Sequence, residues 1–177
     1  MKRYLISILL SLGLILSGFA QSNDQIDFVN IGDQVPNFTL QSTAHGNISS
    51  DMLKGKVTLI SIFATWCGPC QKELAALQKA IDDQTIPWAK DNKDLAILVV
   101  GREHNENQLE AYNSKKGFTF PIYPDPSREF TSKFAKQNIP RTYLVNRDGK
   151  IVFSSVGFDN DEFNKLINLI HKELNKQ

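Results

Sequence analysis

The run KVTLISIF, residues 56–63, is almost continuously apolar over the length of one strand. A strand with one wet face would alternate apolar and polar residues. A strand without that alternation must be covered on both faces. LAILVVG (95–101) is a second such run, and helix-length segments lie between and after the two. Strands alternating with helices require an α/β sheet with helices on both faces.

The remaining segments fit that frame. NFTLQS and GNISS suit a short opening hairpin. After residue 70 comes a helical pattern with Leu74, Leu77 and Ile81 on one face. ENQLEAYNSKKG (106–117) reads as a helix ended by Gly117. FPIYPDP (120–126) is a short strand running into a turn, and REFTSKFAKQN (128–138) reads as a helix. Residues 142–157 form a hairpin turning at Asp148-Gly149. DNDEFNKLINLIHKEL closes the chain as a helix, acidic at its start and basic near its end, as the helix dipole favours.

The first twenty residues differ in kind. Lys2 and Arg3 precede an uncharged, strongly apolar stretch from Tyr4 to Ala20, which ends in the small-x-small sequence Gly18-Phe19-Ala20. This is the pattern of a secretory signal peptide, with an uncleaved anchor as the alternative. Either would place the remainder outside the cytoplasm, where disulfides form and persist. Residues 21–30 read as a loose polar leader and 31–177 as one domain with a full core. Without residues 1–20 the charge stands at 18 basic against 19 acidic residues. That near balance, with no basic stripe, argues against a nucleic-acid partner.

Both cysteines of the chain lie in ATWCGPCQKE (64–73), three positions apart. A bridge between such near neighbours closes a tiny loop and restrains the unfolded chain little. The spacing suits a bond that is made and broken, or a metal. The pair sits where the buried strand meets a helix, with Pro69 in the first turn, where its missing N–H does no harm. Free N–H groups and the helix dipole there favour a thiolate, the species that attacks disulfides. Cys67 is therefore the candidate nucleophile, and Cys70, one turn inside, the residue that resolves the mixed disulfide. Other chemistries fit less well. Haem attachment needs His directly after the second Cys, where Gln71 stands. Zinc needs four ligands, and only His45, His104 and His171 are available in scattered places. Copper is the better-suited metal for two thiols, and copper delivery is the rival from a different functional class.

The stretch IGDQVPNFTL through WCGPC resembles the opening of the TlpA/ResA group of thioredoxin-like proteins, extracytoplasmic thiol-disulfide oxidoreductases related to peroxiredoxins. VVGREHNENQLEAYNSKKGFTFPIYPDP is similar to the group's inserted strand–helix element, and NIPRTYLVNRDGKIVFSSVG to its proline loop and hairpin. The resemblance implies a thioredoxin-like fold without cofactor or metal: a central mixed sheet flanked by helices, an N-terminal hairpin and the inserted element. It implies that Ile139–Pro140 is a cis bond facing the cysteines, leaving the Ile139 backbone free to pair with an extended client segment. Trp66 would line the surface around Cys67, or simply pack. The residue after the proline departs from the expected small side chain: it is Arg141, read either as a charge beside the thiols or as a solvated side chain pointing away. The peroxidase pattern P-x-x-x-T-x-x-C is not met, because Ile60 and Ala64 occupy its Pro and Thr positions.

Thioredoxins also carry a buried acid six residues before the first Cys. Here that position is Ser61, on the strand face shared with Leu59 and Phe63. The TlpA/ResA group instead places a Glu after the second strand. Glu103 lies one residue beyond that slot, with Arg102 nearer, and a plain surface carboxylate is the other reading of it. The expectation is a monomeric, exported protein that reduces disulfides of other exported proteins and is recharged by a membrane thiol electron donor. A disulfide oxidase or isomerase on the same fold is the rival among enzymes.

Overall fold

A computed structural model describes residues 26–88 and 93–176. The signal-peptide reading of residues 1–20 therefore lies outside the described residues, as does the leader up to residue 25.

A five-stranded sheet forms the centre, in the order β5-β4-β3-β6-β7. β3 (Val57–Phe63), β4 (Leu95–Arg102) and β5 (Ile122–Asp125) run parallel, and β6 (Arg141–Val145) and β7 (Ile151–Val156) are antiparallel additions. Every residue of β3 is buried, as its unbroken apolar run requires. β1 (Thr39–Leu40) and β2 (Ile48–Ser49) make the opening hairpin.

The two faces of the sheet are covered differently. α1 (Gly68–Asp82), α2 (Glu106–Lys116) and α4 (Asn160–Leu174) send Leu74, Leu77, Leu109, Leu166 and Ile170 into one core with Leu59 and Phe63 of β3. The other core joins Ile60, Ile62 and Tyr143 to Phe38 and Leu40 near the hairpin and to Phe130 and Phe134. The helix ends follow their local chemistry. Asn105 and Gln108 form a reciprocal capping box at the start of α2, and Gly117 ends it in the left-handed conformation at φ 72°.

Two segments differ from the sequence reading. The helix expected over 128–138 shrinks to the four residues of α3 (Thr131–Phe134). Arg128 takes φ 63°, the buried Asp125 carboxylate accepts from the backbone N–H of Phe130 and Thr131, and Ala135 is extended, pairing with Asp27. Residues 26–30, the described part of the leader, lie against the domain rather than loose. Phe28 N–H donates to Phe134 O at 2.9 Å, Lys136 N–H to Ile26 O at 2.8 Å, and Val29 is buried in the second core.

Candidate functional site

The chain leaves β3 at Phe63, turns through Ala64-Thr65-Trp66 and enters α1 with Cys67 as its N-cap. Cys67 Sγ accepts from the Cys70 backbone N–H at 3.2 Å, and Pro69 occupies the first turn, where no N–H is needed. Cys67 and Cys70 are joined as a disulfide. Cys67 is 6% exposed and Cys70 fully buried, so reagents can reach the pair only through Cys67. Trp66, at 65% exposure, stands beside it on the surface.

The Ile139–Pro140 bond is cis, and the Ile139 carbonyl oxygen lies 3.8 Å from Cys67 Sγ. Arg141 follows neither of the two readings above. Its guanidinium is buried and turned to the opposite face of the sheet, where it bonds Gln137 O, Asn138 O and the Asp27 carboxylate.

The buried acid beneath the pair comes from the helix. Glu73 stands three residues after Cys70, one turn on and on the same side of α1, a spacing of about 5–6 Å between Cβ atoms. It is 5% exposed, and its Oε1 accepts from the hydroxyls of Ser61 at 2.7 Å and Thr142 at 2.8 Å. Those two residues are direct cross-strand partners in β3 and β6. Burial pushes the Glu73 carboxyl above its ordinary range, against the opposing pull of the two hydroxyl bonds. A crevice of about 10 Å³ reaches Glu73 between Thr142, Phe158 and Phe163, with Asp159 and Glu162 on its rim. That volume is close to the least that admits one water.

Glu103 lies elsewhere. It follows β4 at φ 62°, its N–H is held by Asp125 O, and its half-exposed carboxylate faces Arg102 at 3.4 Å and Arg128 at 3.8 Å. Its neighbour His104 is the residue that approaches the cysteine loop. The imidazole is buried, with Nδ1 2.6 Å from Arg102 O and Nε2 2.7 Å from the Thr65 hydroxyl. The Arg102 carbonyl can only accept, so Nδ1 carries a proton. Reading the sequence for hydrophobic spacing passed over Glu73, although a signal was present. Residues 70, 73, 74, 77 and 81 share one helical stripe, and a carboxylate inside an apolar stripe is the anomaly to look for.

The redoxin family profile matches residues 30–170. This chain belongs to the redoxin family. Among similar proteins, the thiol-disulfide oxidoreductase ResA of Bacillus subtilis is 29% identical over 126 residues, covering 70% of this chain and 66% of ResA, just under two thirds of its length. Sporulation thiol-disulfide oxidoreductase A of the same organism is 29% identical over 158 residues, 88% of this chain and 90% of that protein. A solution structure from Bacteroides thetaiotaomicron, whose name proposes a protein disulfide isomerase, superposes with TM-score 0.78 at 31% identity, covering 85% of this chain and 94% of that one. The crystal structure of StoA from Bacillus subtilis gives TM-score 0.61 at 24% identity, over 76% and 97% of the two chains, a likeness that speaks for the fold. This redoxin thus has a thioredoxin-like fold with a Cys67–Cys70 disulfide pair.

Proposed function

We propose that this redoxin is an extracytoplasmic thiol-disulfide oxidoreductase that reduces disulfides of exported proteins through the Cys67/Cys70 dithiol. The observation that carries the reading is the asymmetry of the pair. One sulfur is reachable at a helix N-terminus beside the Ile139 carbonyl, and the other is sealed one turn from a buried carboxylate. In the reduced protein, the Cys67 thiolate attacks a client disulfide, a mixed disulfide forms, and one client thiolate leaves. Cys70 then gives its proton to Glu73 and attacks Cys67 Sγ. The second client thiolate leaves and the Cys67–Cys70 disulfide forms, so two electrons pass to the client. An outside dithiol, in this reading a membrane thiol carrier, reduces the pair again.

In this reading Trp66, Ile139 and Pro140 form the wall against which the client lies, with the Ile139 backbone pairing to an extended segment. Glu73 takes the proton-accepting role for which Glu103 is the other candidate, because the two arginines already engage Glu103. The protein works as a monomer, without cofactor or nucleic acid.

Four measurements test the reading. Insulin reduction with excess dithiothreitol should proceed catalytically, and the reduction potential should lie near thioredoxin's, about −270 mV. A potential near about −120 mV would make the protein an oxidant instead. Tight Cu(I) binding in equilibrium dialysis, without turnover in insulin reduction, would favour the metal-delivery reading. Alkylation of the reduced protein at neutral pH should modify Cys67 before Cys70, because the N-terminal position lowers a thiol's pKa below the free value of about 8.5. Faster labelling of Cys70 would reverse the two roles.

A further inference from the structure

We propose that Asp27, in the segment leading into the domain, is a positioning residue for the client-facing loop and acts through Arg141. The proposal rests on the oxidoreductase reading above for the meaning of that loop, but not for its geometry.

Arg141 heads the fully buried side chains by size, at 1% exposure. Burying a guanidinium costs several kcal/mol unless the charge is paired and its N–H groups are bonded. Here Nε donates to Gln137 O at 2.9 Å and Asn138 O at 3.1 Å, and Nη1 donates to the Asp27 carboxylate, with Tyr143 Oη 3.5 Å away. One planar group therefore ties the start of β6, the two residues before Ile139, and a residue 114 positions upstream.

Asp27 is itself held in place. It pairs with Ala135 in an antiparallel bridge, flanked by the Phe28–Phe134 and Ile26–Lys136 hydrogen bonds. The Arg128 guanidinium caps Lys136 O from the other side. The loop 135–138 is thus clamped between the leader and two arginines. Asn138 sits at φ 67°, a region that Asn tolerates better than most residues. Arg141 fixes the direction of its carbonyl, and with it the peptide plane entering Ile139. The Ile139 carbonyl is the one 3.8 Å from Cys67 Sγ. Removing the Asp27 charge leaves a buried cation to find other partners, and the Gln137–Asn138 carbonyls are the groups it already holds. A client that pairs with the Ile139 backbone reads this orientation. A small disulfide with no backbone to pair does not.

The test uses Asp27→Asn, which keeps the shape and removes the charge, and Asp27→Glu, which keeps the charge. Asp27 is half exposed, so neither change buries new material. In steady-state reduction of insulin, Asp27→Asn should raise KM at least about fivefold and leave kcat within about twofold, and Asp27→Glu should recover most of the loss. Reduction of 5,5′-dithiobis(2-nitrobenzoate) by the same variants should change less than about twofold. An equal fall on both substrates, or an unchanged KM for insulin, overturns the proposal. Amide hydrogen exchange reads the loop without any substrate. Lys136, whose N–H is held by Ile26 O, and Gly157, whose N–H is held by Pro140 O, should exchange at least about tenfold faster in Asp27→Asn. Unchanged exchange there also overturns the proposal. If the wild type reduces neither substrate, the functional reading fails, and the exchange result alone decides whether Asp27 positions the loop.

Discussion

Replacing Cys70 with alanine is expected to turn the protein from a catalyst into a trap. Cys67 keeps its place as the N-cap of α1 and can still attack a client disulfide. The mixed disulfide then has no internal thiol to displace the client. Turnover of insulin should fall at least about a thousandfold, some 4 kcal/mol of barrier at about 1.36 kcal/mol per decade. Covalent adducts through Cys67 should accumulate and should disappear on addition of dithiothreitol. Cys67→Ala should lose turnover equally and form no adducts, since Cys70 is sealed from clients. Non-reducing electrophoresis and peptide mapping of the adduct check both outcomes. Adducts carried by Cys70 in the Cys67→Ala variant would invert the assignment.

Glu73→Gln should separate the two chemical steps. Glutamine can still accept from Ser61 and Thr142, so the packing of that corner survives. What is lost is the proton acceptor for Cys70. Resolution of the mixed disulfide should slow by about a hundredfold near neutral pH, the lower end of what a positioned base contributes. Formation of the mixed disulfide should change less than about threefold. The defect should shrink as pH approaches the pKa of Cys70 itself, where the thiol loses its proton unaided. Stopped-flow measurement of the two phases with a fluorescent peptide disulfide checks this. Equal resolution rates in both proteins across the pH range would exclude Glu73 as the acceptor.

The same variant carries a stability signature. Burial raises the Glu73 carboxyl in the folded protein above its ordinary value of 4.5. Between those two values the folded state holds a proton that the unfolded chain has released, so wild-type stability falls as pH rises through that window. The loss then persists at higher pH, at about 1.4 kcal/mol for each unit of elevation. Glu73→Gln has no such titration. Denaturant unfolding of the two oxidised proteins should give a gap that widens in favour of the glutamine variant from about pH 4.5 upward.

Much of the fold was legible because its strands are short, apolar and punctuated. KVTLISIF and LAILVVG admit only buried strands, and Gly117, Asp148 and Gly149 fall where a helix ends and a hairpin turns. The junction of strand, cysteines and helix was legible for the same reason. What escaped depended on partners distant in sequence. REFTSKFAKQN has helical composition, but its middle is shortened by Asp125 and its end is drawn out to meet Asp27. Glu73 drew no notice in the sequence, because only its hydrogen bonds to β3 and β6, far along the chain, make its burial tenable. Arg141 suited either a charge near the thiols or a solvated side chain pointing away, because the sequence carries no sign of the carboxylate waiting 114 residues earlier.

Residues 140, 141 and 142 are consecutive, yet they serve three separate environments: the disulfide, the leader and the buried acid. Side chains on a strand alternate strictly, so Arg141 and Thr142 owe their destinations to parity alone. Losing or gaining one residue between Ile139 and Thr142 would exchange them. The guanidinium would be driven onto Glu73, and the hydroxyl would face Asp27 in its place. The turn between β6 and β7 can absorb changes of length as turns commonly do. Residues 140–142 have no such latitude, and they make the start of β6 the place where the arithmetic of the chain is least forgiving.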